Sequence, residues 1–182
     1  MSYLVSLGLL VLVASWVAAV YNRLSHLRGL VAQAWLQWQL TTRQRNACAA
    51  DFAAAFTLRR PPGDMLPRSI RKLTEDSELS LESATAERNN AGALRAALAE
   101  HELAAVFRAT FLAVQETDTM VADEQLQLLG SRLSRALFRQ EQSARVFNRM
   151  AQDYNHALED VSGRVLGSVF GFSQAGNITI RG

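Results

Sequence analysis

The sequence opens with a run of uncharged, mostly apolar residues from Tyr3 to Val20. As a helix, this run would be roughly 26–29 Å long, close to the hydrocarbon thickness of a bilayer. Tyr3 lies at one end, and Trp16 and Tyr21 lie toward the other, where amphipathic rings favour the membrane interface. The run therefore predicts a transmembrane anchor over residues 1–22.

A cleaved signal peptide is the alternative interpretation of this run, since Val17-Ala18-Ala19 offers small residues for cleavage. Against it, no basic residue precedes the run, and the apolar stretch is longer than that of a typical signal peptide. The nearest charged residues, among them Arg23, Arg28, Arg43 and Arg45, all follow the run. The positive-inside rule then predicts a single-pass protein with its N-terminus outside and most of the chain in the cytoplasm.

A helical pattern continues without a break from the apolar run to about Leu58. Apolar residues recur there at alternating spacings of three and four, which places them on one stripe of a helix. Thr41 and Arg45 interrupt this stripe, so we expect weaker packing near them. A helix of about 35 residues beyond the membrane is roughly 50 Å long and would carry its far end well away from the headgroups. The stripe consists of Leu24, Leu27, Val31, Ala34, Trp38, Cys48, Phe52 and Ala55.

The segment 59–67 contains all three prolines and a glycine, so it predicts the end of the first helix. A second helix is predicted over 68–89 and a third over 92–116, with a turn at Asn89-Asn90-Ala91-Gly92 between them. Without that turn, one helix would extend from about 70 to 116. The pattern therefore predicts an all-α domain with either three or four long helices.

The last helix is predicted from about Asp123 to Val165. An apolar end, Val169-Phe170-Gly171-Phe172, follows it, and then a polar tail, 173–182, that we expect to be disordered. If four helices alternate in direction, the last one returns to the membrane and brings this apolar end toward the bilayer surface. The stripe of the last helix consists of Leu126, Leu129, Leu133, Leu137, Ala144, Phe147, Ala151, Tyr154, Leu158, Val161 and Val165.

Composition limits the candidate chemistry. The 19 Lys+Arg nearly balance the 17 Asp+Glu, and no aromatic residues alternate with basic ones, so we expect no nucleic-acid partner. Cys48 lies on the stripe of the first helix and is expected to be a small buried side chain rather than a nucleophile. Among the histidines, only His156 has an acidic residue, Asp153, three positions earlier, which is half of a carboxylate-bridged metal motif. With no phosphate loop or hydrolase motif, we expect no cofactor, no metal and no enzymatic activity.

The segment around the prolines is basic, with Arg59, Arg60, Arg68, Arg71 and Lys72. A straight first helix would hold it about 50 Å from the bilayer, several Debye lengths away, so we do not expect it to bind the lipids of that membrane. A solvated turn is the simplest interpretation, and a docking patch for an acidic protein partner is the alternative.

Two paired dipeptides, Phe147-Asn148 and Tyr154-Asn155, lie seven residues apart, and Gly171-Phe172 follows them. Near the membrane run stand Tyr21-Asn22 and, further on, Trp35 in an Ala-Trp pair. In these stretches the chain resembles the LemA family of bacterial membrane-anchored helical proteins, although it lacks several of the family's prolines. The resemblance covers most of residues 3–172.

The resemblance implies an all-α fold in which the N-terminal transmembrane helix continues into an up-and-down antiparallel four-helix bundle over residues 23–172. It also implies a protein of the bacterial inner membrane, active in envelope maintenance or organelle membrane formation. The rigid first helix, the distal basic segment and the lack of catalytic motifs favour a scaffold or adaptor that binds an unidentified protein partner and is compatible with homo-oligomers. The alternative function is a lipid-binding or membrane-remodelling module that inserts Val169–Phe172.

The asparagines of the two dipeptides, Asn148 and Asn155, lie two turns apart on one helix edge. They either form interhelical hydrogen bonds that fix the register of the bundle, or form a polar ladder that binds a partner. Asn22 would meet Asn155 if the last helix returns to the membrane end.

Overall fold

The computed structural model describes residues 2–58, 65–87 and 123–176 and, between the last two, residues 100, 103–105, 107–109 and 112. The described chain forms four helices and contains no strand: α1 is Ser2–Thr57, α2 is Met65–Glu87, α3 is Glu124–Glu159 and α4 is Val161–Phe170. The described residues between α2 and α3 are also helical. An all-α fold is therefore confirmed for this part of the chain.

The apolar run and the following stripe form one continuous helix, α1, as the pattern predicts. The second helix begins at Met65, earlier than the predicted start at Arg68, and Pro67 lies in its first turn, where proline is tolerated. The turn predicted at 89–92 and most of the third helix lie outside the described residues. The arrangement as three or four helices therefore stays a prediction.

The prediction of one last helix from Asp123 to Val165 is wrong at its C-terminal end. Its start is correct, since the Asp123 carboxylate accepts a hydrogen bond from the backbone N–H of Leu126 at 3.0 Å. The helix stops at Asp160, whose backbone (φ −56°, ψ 148°) is not helical, and α4 begins after it. Residues 161–163, Val-Ser-Gly, are poor helix formers, which makes the break inexpensive. Val165 consequently lies on an exposed surface instead of on the buried stripe.

Both α2 and α3 pack antiparallel against α1. Thr41 Oγ1 lies 2.6 Å from Ser143 Oγ, and the Trp35 and Phe147 rings lie 5.4 Å apart, so α3 descends as α1 rises. Between α1 and α2, Asn46 Nδ2 donates to Ser77 Oγ at 3.0 Å. These contacts give each position of α2 and α3 a height along α1.

Three apolar clusters follow one another along α1. The distal cluster is centred on Phe52 and Phe56, the middle one on Trp38, and the one nearest the apolar run on Leu24. The predicted stripe is confirmed, because all of its α1 residues are buried or half-buried. The expected weakness at Thr41 and Arg45 is wrong, since both side chains are buried in a polar layer between the middle and distal clusters.

Candidate functional site

The first third of α1 has an uncovered apolar surface. The large apolar side chains from Tyr3 to Val13 are 53–90% exposed. A window of this helix has a mean hydropathy of 2.3 and no buried residues. Because exposing such a surface to water is unfavourable, a second phase or partner is required to cover it. By length and composition, this one described helix could cross a membrane.

The C-terminal end of the described chain returns to the end of that apolar surface. The Tyr21 ring lies 5.1 Å from the Phe170 ring and 5.8 Å from the Phe172 ring, both in edge-on geometry. The Arg28 guanidinium lies 6.0 Å from the centre of the Phe172 ring. Phe172 also packs against the cluster around Leu24. The apolar end Val169–Phe172 thus lies beside the end of the apolar run, and its approach to a bilayer surface stays a prediction.

Both ends of helix α4 contact α1 close to the end of the apolar run. Near its start, Asp160 is 3.7 Å from the Arg23 guanidinium, and at its end Phe170 contacts Tyr21. The two contacts of α4 therefore lie at the same end of the domain, beside the end of the apolar run.

Two predicted site residues hold the last described residues in place. Asn155 Nδ2 donates to the Ala175 carbonyl and Asn155 Oδ1 accepts from the Ala175 N–H, both at 2.8 Å. The Tyr154 hydroxyl donates to the Ser173 carbonyl at 3.1 Å. Burial raises the pKa of Tyr154 above its ordinary value of 10.0, and the positive charge of Arg28 acts in the opposite direction.

Asn155 therefore bonds the C-terminal segment and not Asn22, which is exposed on α1. Asn148 is half-buried on α3. Residues 173–176 of the predicted tail lie against α3, and the rest of that tail, 177–182, lies outside the described residues.

The turn between α4 and Phe172 depends on Gly171. Its φ of +68° lies in the left-handed region, where glycine is unstrained. The Phe172 N–H then donates to the Gly167 carbonyl at 3.0 Å. The turn directs Phe172 back onto the Leu24 cluster.

A buried polar layer crosses the middle of the domain. Arg45 Nη1 donates to Glu100 Oε2 at 2.9 Å and Nη2 to Oε1 at 3.3 Å, with both side chains almost fully buried. Arg45 Nη2 also donates to Ser77 Oγ at 2.9 Å and to Asn46 Oδ1 at 2.7 Å. The Ser77 hydroxyl in turn donates to Glu100. The arrangement ties the helical residue 100 to α1 and α2.

The sequence pattern did not predict this layer, although Arg45 occupies a stripe position that faces the core. Thr42 and Trp38 lie about one and two turns before Arg45 on α1. Thr42 Oγ1 and Trp38 Nε1 are buried, and neither has a hydrogen-bond partner among the described residues.

The remaining predicted site residues lie in different parts of the chain. Trp35 is half-buried and packs against Trp38 and Phe147, so it belongs to the core. Among the basic residues of the predicted docking segment, Arg68, Arg71 and Lys72 are exposed on the first turns of α2, and Arg59 and Arg60 lie outside the described residues.

Neither Cys48 nor His156 was predicted to have a chemical role. Cys48 is half-buried against the distal apolar cluster. His156 is exposed on α3. Within the described residues, no group of three or more His, Cys, Asp or Glu side chains could hold a metal ion.

These features define a class: a helical protein with one N-terminal segment long and apolar enough to span a membrane, and a helical domain packed on the continuation of that segment. Comparison with known proteins adds no relative, because no family model, curated protein or solved structure matches the chain.

Proposed function

We propose that this protein is a membrane-anchored helical scaffold or adaptor, similar in kind to the LemA family, that holds a protein partner beside the bacterial inner membrane. One observation carries the proposal. A single helix, α1, has an uncovered apolar surface in its first third and a fully packed stripe in the rest. Because α1 is one continuous helix, it connects the domain rigidly to the anchor. Such a connection suits a protein that positions a partner protein at the membrane.

The distal end offers a surface for an acidic partner. Arg68, Arg71 and Lys72 are exposed within two turns of α2. Measured along α1 from Tyr21, they lie about 45–50 Å from the end of the apolar run, beyond the screening length at physiological salt. A protein in the cytoplasm can reach them, whereas the headgroups of the anchoring membrane cannot.

Membrane insertion and orientation are tested first. A reporter fused after Gly182 is expected to show cytoplasmic activity, and the full chain is expected to stay in the membrane fraction after alkaline extraction. Periplasmic reporter activity would reverse the orientation. Release of the full chain into the soluble fraction would overturn the anchoring.

Partner binding is then tested by crosslinking in native membranes. The triple variant Arg68→Glu, Arg71→Glu and Lys72→Glu is expected to lose a crosslinked protein partner. The matched control is Arg43→Glu with Gln44→Glu, at two exposed positions of α1. Equal crosslinking by both variants would exclude the distal basic residues as the docking surface.

A second function is favoured by the position of α4: binding to the lipid surface of the same membrane. Val165, Val169 and Phe170 are 47–69% exposed on a helix that contacts Tyr21 at the end of the apolar run. If α1 crosses the bilayer, α4 therefore lies at the level of the membrane interface. Interfacial helices bury an apolar face in the headgroup region at this level.

Depth-dependent quenching tests this second function on the full chain in lipid nanodiscs. With Cys48→Ala as the background, a fluorophore at Val169→Cys is expected to be quenched by a lipid-borne quencher. The same fluorophore at Phe138→Cys, about 37 Å further along the domain, serves as the control and is expected to stay unquenched. Equal and low quenching at both sites would exclude lipid contact by α4.

A further inference from the structure

The outward face of α3 is basic and interrupted by exposed apolar side chains. Arg132, Arg135, Arg139 and Arg149 are all exposed on α3. Arg135 and Arg149 lie opposite the buried stripe, and Arg132 and Arg139 lie at its edge. Phe138 is 62% exposed between them, and Val146 is 53% exposed. Among the described residues, Arg132, Arg139 and Arg149 make no ion pair. Basic residues around an exposed aromatic ring are typical of a protein interface rather than a solvated helix face.

A complementary surface occurs on α2 of the same chain. Glu75, Asp76 and Glu82 are exposed there, and Leu79 is 63% exposed between them. Within the part of the chain that the structure describes, none of these three acidic residues forms an ion pair. Each face thus has the charge that the other lacks, and each has an exposed apolar centre.

The two faces also lie at the same height above the end of the apolar run. Ser77 lies level with Arg45 and Asn46, and Ser143 lies level with Thr41. Counting about 1.5 Å per residue from these contacts puts Leu79 level with α1 residue 43 or 44 and Phe138 level with residue 46. The apolar centres therefore differ in height by about 4 Å.

The flanking charges match in the same way. By the same count, Glu75 lies between the heights of Arg135 and Arg139, and Glu82 lies between those of Arg139 and Arg149. Chains anchored side by side in one bilayer have their long axes parallel, so faces at equal height can meet. Anchoring in one plane also raises the effective concentration of the copies for one another.

We propose that the occupant of the basic face of α3 is the acidic face of α2 in a second copy of this chain, in the same membrane. The contact joins different surfaces of the two copies, so each copy keeps one free face of each sign, and association continues into rings or rows in the membrane plane. The proposal rests on the proposed anchoring, which aligns the copies.

Site-directed crosslinking of the full chain in membranes tests the contact. In a Cys48→Ala background, Ser83→Cys on α2 and Gln142→Cys on α3 place thiols at exposed positions about one turn from Leu79 and Phe138. With a short bismaleimide, the chain with both cysteines is expected to give dimers and higher species. Each single-cysteine chain is expected to stay monomeric, because the contact joins unlike faces.

Charge reversal separates this contact from nonspecific crowding. The pair Arg135→Glu and Arg139→Glu is expected to lower the crosslinked fraction about tenfold, and so is the pair Glu75→Arg and Glu82→Arg. Co-expression of the two variants, or all four substitutions in one chain, is expected to restore crosslinking because opposite charges again face each other. The control pair Arg43→Glu and Gln44→Glu, at similar height on α1, is expected to have no effect.

A further variant tests the edge of the contact. Lys72 lies about one turn distal to Glu75, close to the height of Arg135, so Lys72→Glu is expected to increase crosslinking. Crosslinking that persists in both reversed pairs, or a chain that is monomeric in the membrane, would overturn the proposal. So would loss of an acidic protein or nucleic acid from the Arg135→Glu, Arg139→Glu chain without any change in self-crosslinking.

Fractionation of the same samples distinguishes this failure from failure of the proposed function. A chain found in the soluble fraction refutes the anchoring on which both depend. A chain that is retained in the membrane but gives no crosslinked species refutes the self-association alone.

Discussion

Truncation of Glu100 gives the sharpest test of the packing, because this carboxylate is the only ionic partner of Arg45 in the described structure. In the Glu100→Ala variant, the Arg45 guanidinium would keep its bonds to Asn46 and Ser77 but would lose both bonds to the carboxylate. An uncompensated charge would then be left at a position that is 2% exposed.

Removing one partner of a buried ion pair typically costs about 3–5 kcal/mol, since the remaining charge is neither solvated nor paired. For a chain of this size, about 2–4 °C of melting temperature is lost per kcal/mol, so a decrease on the order of 10 °C is expected. Glu141→Ala is the matched control. It removes a carboxylate that pairs with Arg145 at 2.7 Å and Arg108 at 3.5 Å near the surface, and is expected to cost about 1 kcal/mol or less.

The assay is urea unfolding of the full chain in detergent, followed by helical circular dichroism. Arg45→Met combined with Glu100→Met is expected to be more stable than either single variant, because the pair is then replaced by apolar groups. If Glu100→Ala were as stable as Glu141→Ala, the Arg45 guanidinium would have access to water. The conclusion that Arg45 and Glu100 form a buried ion pair would then be wrong.

Three further predictions concern the C-terminal segment. Gly171→Ala is expected to cost about 1 kcal/mol through its left-handed φ alone, since an added Cβ would meet no atom within 4 Å, and hydrogen exchange of the last residues would report it. Asn155→Ala removes both bonds to Ala175 and is expected to destabilise the segment by about 1–3 kcal/mol, seen as faster proteolysis there. The raised pKa of Tyr154 means that its stabilisation is fully present below pH 10.0, the unfolded pKa, and is lost as pH rises through the folded-state pKa. Tyr154→Phe should remove that alkaline loss, measured by urea unfolding between about pH 8 and 11, while costing about 1 kcal/mol at neutral pH through the lost bond to Ser173.

The sequence pattern was sufficient for the elements that depend on periodicity. Leu24, Trp38 and Phe52 on α1, and Leu133 and Phe147 on α3, are buried as their spacing predicts. Spacing fixes which side of a helix is apolar, and burial of that side follows from the hydrophobic effect. The continuation of the membrane run into α1 was also predictable, because the apolar spacing continues past Gly29 and no proline occurs before Pro61.

The features that were not predicted depend on terms that periodicity does not contain. Periodicity marked Arg45 as an interruption, because a stripe position does not reveal that Glu100, 55 residues away, completes a pair there. The break at Asp160 was missed because the apolar spacing continues through Val161 and Val165. The low helix propensity of Val-Ser-Gly at 161–163 makes a break next to them inexpensive, and periodicity does not include that term.

Five of the residues that carry the resemblance to a known family lie close together. Tyr21 contacts Phe172, Gly171 makes the turn that returns Phe172 to α1, and Tyr154 and Asn155 hold the backbone beyond it. Each of these side chains is committed to another part of the same chain. These contacts therefore hold α4 and the C-terminal segment against α1 at the end of the apolar run. A partner that recognised these groups directly would have to break these contacts. The exposed faces of α2, α3 and α4 can bind a partner without any rearrangement.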